Sequence, residues 1–572
     1  MAALGSIKTL AHDIVQRIDS LALAVNSYKS LSESLATDSI QGVDDALSLA
    51  LSHVRVLRNF RSPVNSLPPE ILTTIFRCLM EPETQPQQHR TLTGVAPSAG
   101  TATRIPISIT HVCRYWRDSA LGCPLLWSPI VFEPKDMATK YSLPYLCLQR
   151  ALGAPLDVQI KCSKSMDPQI WSVLAARSSR LRRVQVIDLL GPEQLRELRQ
   201  AVPILHTLHI EVSHDLFDRR WEGEDLLDEL PELFAGSTPA LRHLKLNLFT
   251  SFSTNRFANL EVLHLSHQIY RERGDLASLF ALLEASLQLE EVSLTDCHLA
   301  FAHEGPVPTG DRFLPLYRLR RLTLVDCHAS LVSSVLARVE TAHGGIALLI
   351  KDWTPSRPLN ALFPPPATSR LHALAGVTAL ALDYDRAEVR AGGGGSAVRL
   401  ALEPDLDTAD ALAPALAALF PLHALRSVAL AGIELHGAPF WRGFLGALPA
   451  LAHLALWLPP TQPQKWVEAL RPDAGTAYPA PLLDTLTVFP PYPAVLDAAA
   501  AVLQARAEDG HRLRVLNVVM EERTRDAEIR RAFEGLDIAA LEQFVDRVVQ
   551  DVVSRYGHEF PVPEEHRAFI AQ

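Results

Sequence analysis

The spacing of apolar residues changes along this chain, and each change marks a different element. Within residues 1–60, Ile7, Ala11, Ile14, Ile18, Leu21, Val25 and Tyr28 recur at alternating intervals of four and three. That is the a/d seam of a helix. After the polar stretch ATDSIQG a second seam follows: Ile40, Val43, Leu47, Ala50, Val54 and Leu57. Gly42 beside a Ser/Thr/Asp cluster suggests a turn. Residues 1–60 therefore read as a helical leader, either a hairpin packed on itself or a short dimerising coiled coil. Further on, Ile71, Leu72, Ile75, Phe76 and Leu79 form one apolar helical face. Ser66 is a candidate cap there, Pro68 and Pro69 fit a first turn, and Glu70 suits the positive end of the helix dipole. The polar, Pro/Gly/Thr-rich segment at about 81–104 reads as a flexible insertion. Beyond it Ile109, Val112, Cys113, Tyr115 and Trp116 predict another helix.

From 153 to 520 the pattern Leu-x-x-Leu-x-Leu recurs. It starts at Leu181, Leu205, Leu241, Leu260, Leu289 and Leu319, then at Val377, Leu425, Leu451, Leu483 and Leu513, with a degenerate unit at Gly345–Ile350. The intervals cluster near 30 residues and resemble leucine-rich repeats of irregular length. A unit of this kind cannot bury its leucines alone, so neighbours stack into a curved solenoid with a parallel sheet on its inner face. Residues between the leucines face that concave surface. His243, Lys245, His264, Glu291, Arg321 and Trp457 are the candidate target-binding residues, accompanied by Ser266, Ser293, Thr323, Thr487 and Asn517. Trp457 reads equally as a recognition anchor or as repeat packing. Cys297 and Cys327 end two fuller repeats, LEEVSLTDC and LRRLTLVDC, where a small buried side chain fills the turn leaving the strand. Residues 215–232 read as an acidic surface helix or a basic-partner site, and 385–410, with its glycine run, as a flexible insertion. Residues 521–572 read as helices, Glu521 to Glu534 and Leu541 to Tyr556, that cap the solenoid, followed by a loose tail.

Composition narrows the classes. Hydrophobic residues make up 48% and charged residues 21% of 572, which excludes wholesale disorder. A net charge of −10 argues against nucleic-acid or anionic-membrane binding. No apolar run reaches the ~18–20 residues of a membrane helix, and the N-terminus lacks signal-peptide character. The seven scattered cysteines contain no CxxC pair. They suggest free thiols in a reducing compartment, hence a cytoplasmic or nuclear protein. No cofactor or metal site is expected, because adjacent Cys-His pairs are not a usual ligand spacing. His206/His209 and His264/His267, three apart near strands, are expected to point to opposite faces. Nucleophile-elbow, zincin, phosphate-loop and kinase motifs are absent, so no enzyme is expected.

The segment 61–132 resembles an F-box. Leu67, Pro68, Glu70, Ile71, Ile75 and Phe76 match the family's opening motif, Val112, Cys113, Arg114, Trp116 and Arg117 its second, and Pro124, Leu125, Leu126 and Trp127 its closing one. The insertion between the first two motifs is longer than a compact F-box needs, and displaces the middle helix into Pro106–Thr110 or into the insertion itself. The fold implied is an α/β repeat: an N-terminal helical region and a three-helix F-box, then an irregular leucine-rich-repeat-like solenoid.

Such a resemblance implies a substrate-recruiting adaptor of a cullin-based ubiquitin ligase. The F-box would bind the S-phase-kinase-associated linker protein through Leu67, Pro68, Glu70, Ile71, Leu72, Ile75, Phe76, Val112, Trp116, Leu125 and Trp127. The solenoid would hold an unknown protein substrate. The competing reading is a repeat scaffold for protein–protein interaction that never meets a cullin.

Overall fold

The computed structural model describes residues 33–80, 99–133, 142–163, 169–213, 229–252, 254–300, 313–341, 347–351, 370–383, 388–393, 396–401, 416–431, 438–457, 478–522 and 524–553, with a few positions before 24 and at 362–363 and 469–470. The helical seam from Ile7 to Tyr28, most of the insertion after residue 80 and most of the acidic stretch 215–232 lie outside them. Internal contacts divide the chain into two units, residues 1–82 with 101–126, and residues 83–100 with 127–572.

The first unit is helical. Glu33–Phe60 is one helix of 28 residues running through Gly42, so the turn expected there is not formed. An interior glycine costs about 1 kcal/mol relative to alanine, which a helix of this length absorbs. Pro69–Met80 follows a short 3-10 turn at Pro63–Ser66. Ser66 does not cap it: its hydroxyl donates to the Pro63 carbonyl at 2.6 Å. Ala99–Thr110 is helical with Pro106 inside it, so the middle helix occupies both the end of the insertion and Pro106–Thr110. The helix expected around Trp116 is interrupted at 111–113 and restarts as Arg114–Leu121, where the Cys113 thiol accepts from the Trp116 N–H.

The second unit is mixed α/β, built on a 17-stranded sheet among the described residues. Its strands run in space from Pro129–Phe132 through Leu156–Lys161, Leu181–Leu189, Thr207–Val212, His243–Asn247, Val262–Ser266, Glu291–Thr295 and Arg321–Val325 to Ala347–Lys351, all parallel. Beyond a three-strand meander, Ser427–Ala431, His453–Trp457, Thr485–Phe489, Leu513–Glu521 and Val545–Val553 continue the parallel order. Along His243–Asn247, Val262–Ser266 and Glu291–Thr295 alternate residues are buried. In these repeats the last two apolar residues of the motif therefore fill the core, and the residues between them line the opposite, polar face. Helices Arg273–Glu284, Ala329–Arg338 and Pro493–Glu508 add further buried apolar side chains.

Two expectations fail here. Over its described residues the glycine-bearing segment is sheet rather than flexible insertion: Glu388–Gly393 pairs antiparallel with both Ala379–Asp383 and Ser396–Ala401. Those two strands in turn pair parallel with Ser427–Ala431 and Ala347–Lys351. The C-terminal segment expected to be helical from Leu541 is instead the strand Val545–Val553, in register with Leu513–Glu521. Val545, Val548, Val549 and Val552 fit a helical period, but β-branched side chains beside an unpaired strand edge favour the ladder. Likewise, residues 513–521 remain strand to Glu521, and the helix expected from there begins at Ala527.

Candidate partner-binding surfaces

In the helical unit a small polar network fixes the segment that carries the Leu67-Pro68 pair. The Trp116 indole N–H donates to Asn65 Oδ1 at 2.7 Å, and the Tyr115 hydroxyl to the Leu67 carbonyl at 2.6 Å. Asn65 Nδ2 in turn donates to the Asn59 carbonyl at the end of the long helix, at 2.7 Å. Phe76 packs against Trp116 with ring centroids 4.9 Å apart. These contacts orient the Pro69–Met80 helix so that Leu72 and Phe76 are fully buried, while Ile71, Ile75 and Leu79 stay 50%, 42% and 56% exposed. Intervals of four place the exposed three on one stripe.

The eleven proposed linker contacts thus separate. Ile71, Ile75, Val112 and Leu125 present apolar surface. Pro68 and Glu70 are exposed, and Leu67 and Trp116 half-buried. Leu72, Phe76 and Trp127 are buried, with the Arg150 guanidinium 4.4 Å from the Trp127 ring centroid. They are core residues rather than contact surface: a helix apolar on two adjoining stripes turns Leu72 and Phe76 inward, and Trp127, at the end of the 3-10 turn Pro124–Trp127, is buried in the second unit. Leu79, also exposed, extends the stripe and was missing from the expected contact set. The four-residue spacing from Ile75 was the available signal for Leu79.

On the sheet's polar face the pairing register aligns the target-binding candidates in rows: His243 beside Val262, Glu291 and Arg321, and Lys245 beside His209 and His264. Neighbouring repeats are joined there by charge. His264 Nε2 lies 3.0 Å from Glu291 Oε1, and Arg321 Nη1 donates to Glu291 Oε2 at 3.0 Å. The hydrogen bond from His264 holds the Glu291 carboxyl below the usual range, although burial opposes it. His243 stacks edge-on against His206, 4.9 Å between centroids. Burial holds His209 and His243 below the ordinary histidine range. Further along, Trp457 packs on Phe489, centroids 4.2 Å apart, and on a cluster of Ala381, Ala429, Ala431 and Ala455. Of the two readings of Trp457, repeat packing is the one its contacts describe.

Strands Val262–Ser266, Glu291–Thr295 and Arg321–Val325 each hand over to their turn through a residue in the left-handed region: His267 (φ 54°), Asp296 (φ 54°) and Asp326 (φ 53°) occupy the same place in successive repeats. The next residue, Gln268, Cys297 or Cys327, points inward and is buried. Cys327 Sγ donates to Val325 O at 3.3 Å and to Leu294 O at 3.5 Å. Burial raises the Cys297 thiol well above its ordinary value, which fits the packing role expected of this position. The following residue, His298, returns to the surface. His267 and His298, separated by 31 residues, both bond the Asp296 carboxylate.

Among the described residues, no helix is long and apolar enough to cross a membrane. No protein-family model matches the chain, and no curated protein matches it. Among the solved structures that match, the crystal structure of the Rad7 and Elc1 complex in yeast aligns over 87% of this chain and 97% of that chain. The identity is 14% and the TM-score 0.25, values too low to carry an argument.

Proposed function

We propose that this chain is a non-catalytic, substrate-recruiting adaptor of a cullin-based ubiquitin ligase. In this reading the helical unit is an F-box that docks on the S-phase-kinase-associated linker protein, and the sheet unit is an irregular leucine-rich-repeat-like solenoid that holds a target protein. The observation that carries it is the stripe of Ile71, Ile75 and Leu79, exposed on a helix that opens with the Leu67-Pro68-x-Glu70 motif. Roughly half of each side chain is open to water. Covering the remainder stabilises a complex by about 1 kcal/mol per residue. The helical partner that closes this surface would be a second protein with a complementary apolar groove.

The adaptor contributes position rather than bond chemistry. It raises the local concentration of the target beside a conjugating enzyme held on the same scaffold. The polar face, with its ordered charges at Lys245, Glu291 and Arg321, is the surface available to the target.

The test is the double variant Ile71→Asp with Ile75→Asp. Both positions are exposed, so folding changes little, whereas two desolvated carboxylates at the interface weaken linker binding by a hundredfold or more. Binding unchanged in a quantitative pull-down, with circular dichroism matching the parent chain, refutes the docking surface.

A further inference from the structure

We propose that the turns leaving strands Glu291–Thr295 and Arg321–Val325 form a binding site for a first-row divalent transition ion of the zinc or cobalt kind, with Asp296, His298 and Asp326 as ligands. The inference does not depend on the adaptor reading, since it rests on a different face of the chain.

The geometry comes from the repeat. Backbone hydrogen bonds stack the turns: His298 N–H donates to the Gln268 carbonyl at 2.8 Å, Asp296 N–H to the Val325 carbonyl at 2.8 Å, and His328 N–H to the Cys297 carbonyl at 2.8 Å. This stacking brings Asp296 and Asp326, equivalent residues 30 apart in sequence, beside each other with His298 between. One donor atom from each of Asp296, His298 and Asp326 lies within 4.8 Å of the other two. Donors about 2.0–2.2 Å from a tetrahedral ion stand ~3.3–3.6 Å apart. Closing on a cation therefore needs side-chain rotations that change the donor separations by at most ~1.5 Å. His298 Nε2 already lies 2.6 Å from Asp296 Oδ1, an approach now bridged by a proton that the ion would displace.

Donor chemistry selects the ion. Two carboxylates supply the charge that balances a divalent cation, and the imidazole nitrogen favours zinc, cobalt or nickel over calcium and magnesium. Three protein ligands leave positions for water, as in open rather than closed zinc sites. All three side chains are half-buried, so the site is reachable from solvent. His267, hydrogen-bonded through Nδ1 to the second oxygen of Asp296, orients that carboxylate from outside the coordination sphere. A bound ion would fasten two successive repeats at the strand exits and so stabilise the middle of the sheet.

The experiment uses the full chain and cobalt as the probe, titrated at neutral pH and followed by its visible spectrum. The expected result is one ion per chain, with no thiolate charge-transfer band because no cysteine participates. His298→Gln and Asp326→Asn should each weaken binding by more than tenfold, and His267→Gln by about 10–100-fold. Added zinc should raise the unfolding midpoint of the parent chain and leave those of His298→Gln and Asp326→Asn where they are. Failure of the parent chain to take up one equivalent overturns the proposal without recourse to any variant. So does a thiolate band, or undiminished affinity in both ligand variants when their circular dichroism matches the parent.

Discussion

Glu388 occupies an unusual place for a carboxylate. Its side chain is 9% exposed in the reversed strand of the meander, and Arg390 Nη2 donates to its Oε2 at 2.8 Å from a side chain that is also 9% exposed. Arg399, on the adjoining strand, donates to the other oxygen and is 41% exposed. Burial alone would push the carboxyl up, but hydrogen bonds from Arg399 and Arg390 hold it below the ordinary range. In Glu388→Gln both guanidiniums lose the carboxylate they share. Arg399 can turn to water, whereas Arg390 is held inside the sheet, and breaking a buried ion pair by removing one partner costs about 3–5 kcal/mol. At roughly 2–4 °C per kcal/mol for a cooperative unit of 150–250 residues, even the lower figure moves the unfolding midpoint down by about 6–12 °C. Because the fault lies in strands bridging Ala347–Lys351 to Ser427–Ala431, proteolysis should also begin near the meander. The double variant Glu388→Leu with Arg390→Met replaces the pair by apolar groups and should recover most of the loss. Thermal unfolding followed by circular dichroism decides it. A shift under about 2 °C for Glu388→Gln, or a double variant no better than the single, would refute this account of the meander.

Two further outcomes follow from the same structure. Phe76→Ala empties a fully buried site against Trp116 and should cost about 3–5 kcal/mol. Its exposed neighbour in Ile75→Asp should leave stability nearly unchanged, so equal midpoints for the two variants would contradict the inward turn of the Phe76 stripe. Burial holds His209 down, and burial together with the nearby His206 holds down His243. Both folded values lie below the unfolded value of about 6.5, so the unfolded chain takes up these protons first. The stability they contribute is complete above pH ~6.5 and declines as pH falls from there through the folded values. His209→Gln should flatten that decline, and an identical pH profile in the variant would remove His209 as its source.

The leucine spacing made the sheet legible. In Leu-x-x-Leu-x-Leu the first leucine closes the preceding turn and the next two fall on one face of a strand. Thus Leu289 precedes Glu291–Thr295, and Val292 and Leu294 fill the core. The same alternation located Lys245, His264 and Glu291 on the polar face. The meander was not legible because Glu388, Arg390 and Arg399 read as solvated charge beside glycines, whereas in the fold both arginines pair with the one carboxylate. Val545–Val553 carries apolar residues at both helical and strand periods, and only the adjacent Leu513–Glu521 edge decides between them. In the helix Pro69–Met80 the apolar residues fill two stripes. Periodicity finds both, but the Asn65–Trp116 contact determines that Leu72 and Phe76 go inside. The Asp296, His298 and Asp326 cluster depends on pairing register across 30 residues, which no local motif encodes.

The central claim is that the helical unit meets a ligase linker. Its most direct measurement is co-expression of the full chain with the S-phase-kinase-associated linker protein, followed by size-exclusion chromatography of the purified mixture. The account predicts a stable one-to-one complex that elutes as a single species and is lost in Ile71→Asp with Ile75→Asp. Separate elution of a folded chain and a folded linker would contradict it, and the repeat scaffold without a cullin partner would then be the better description.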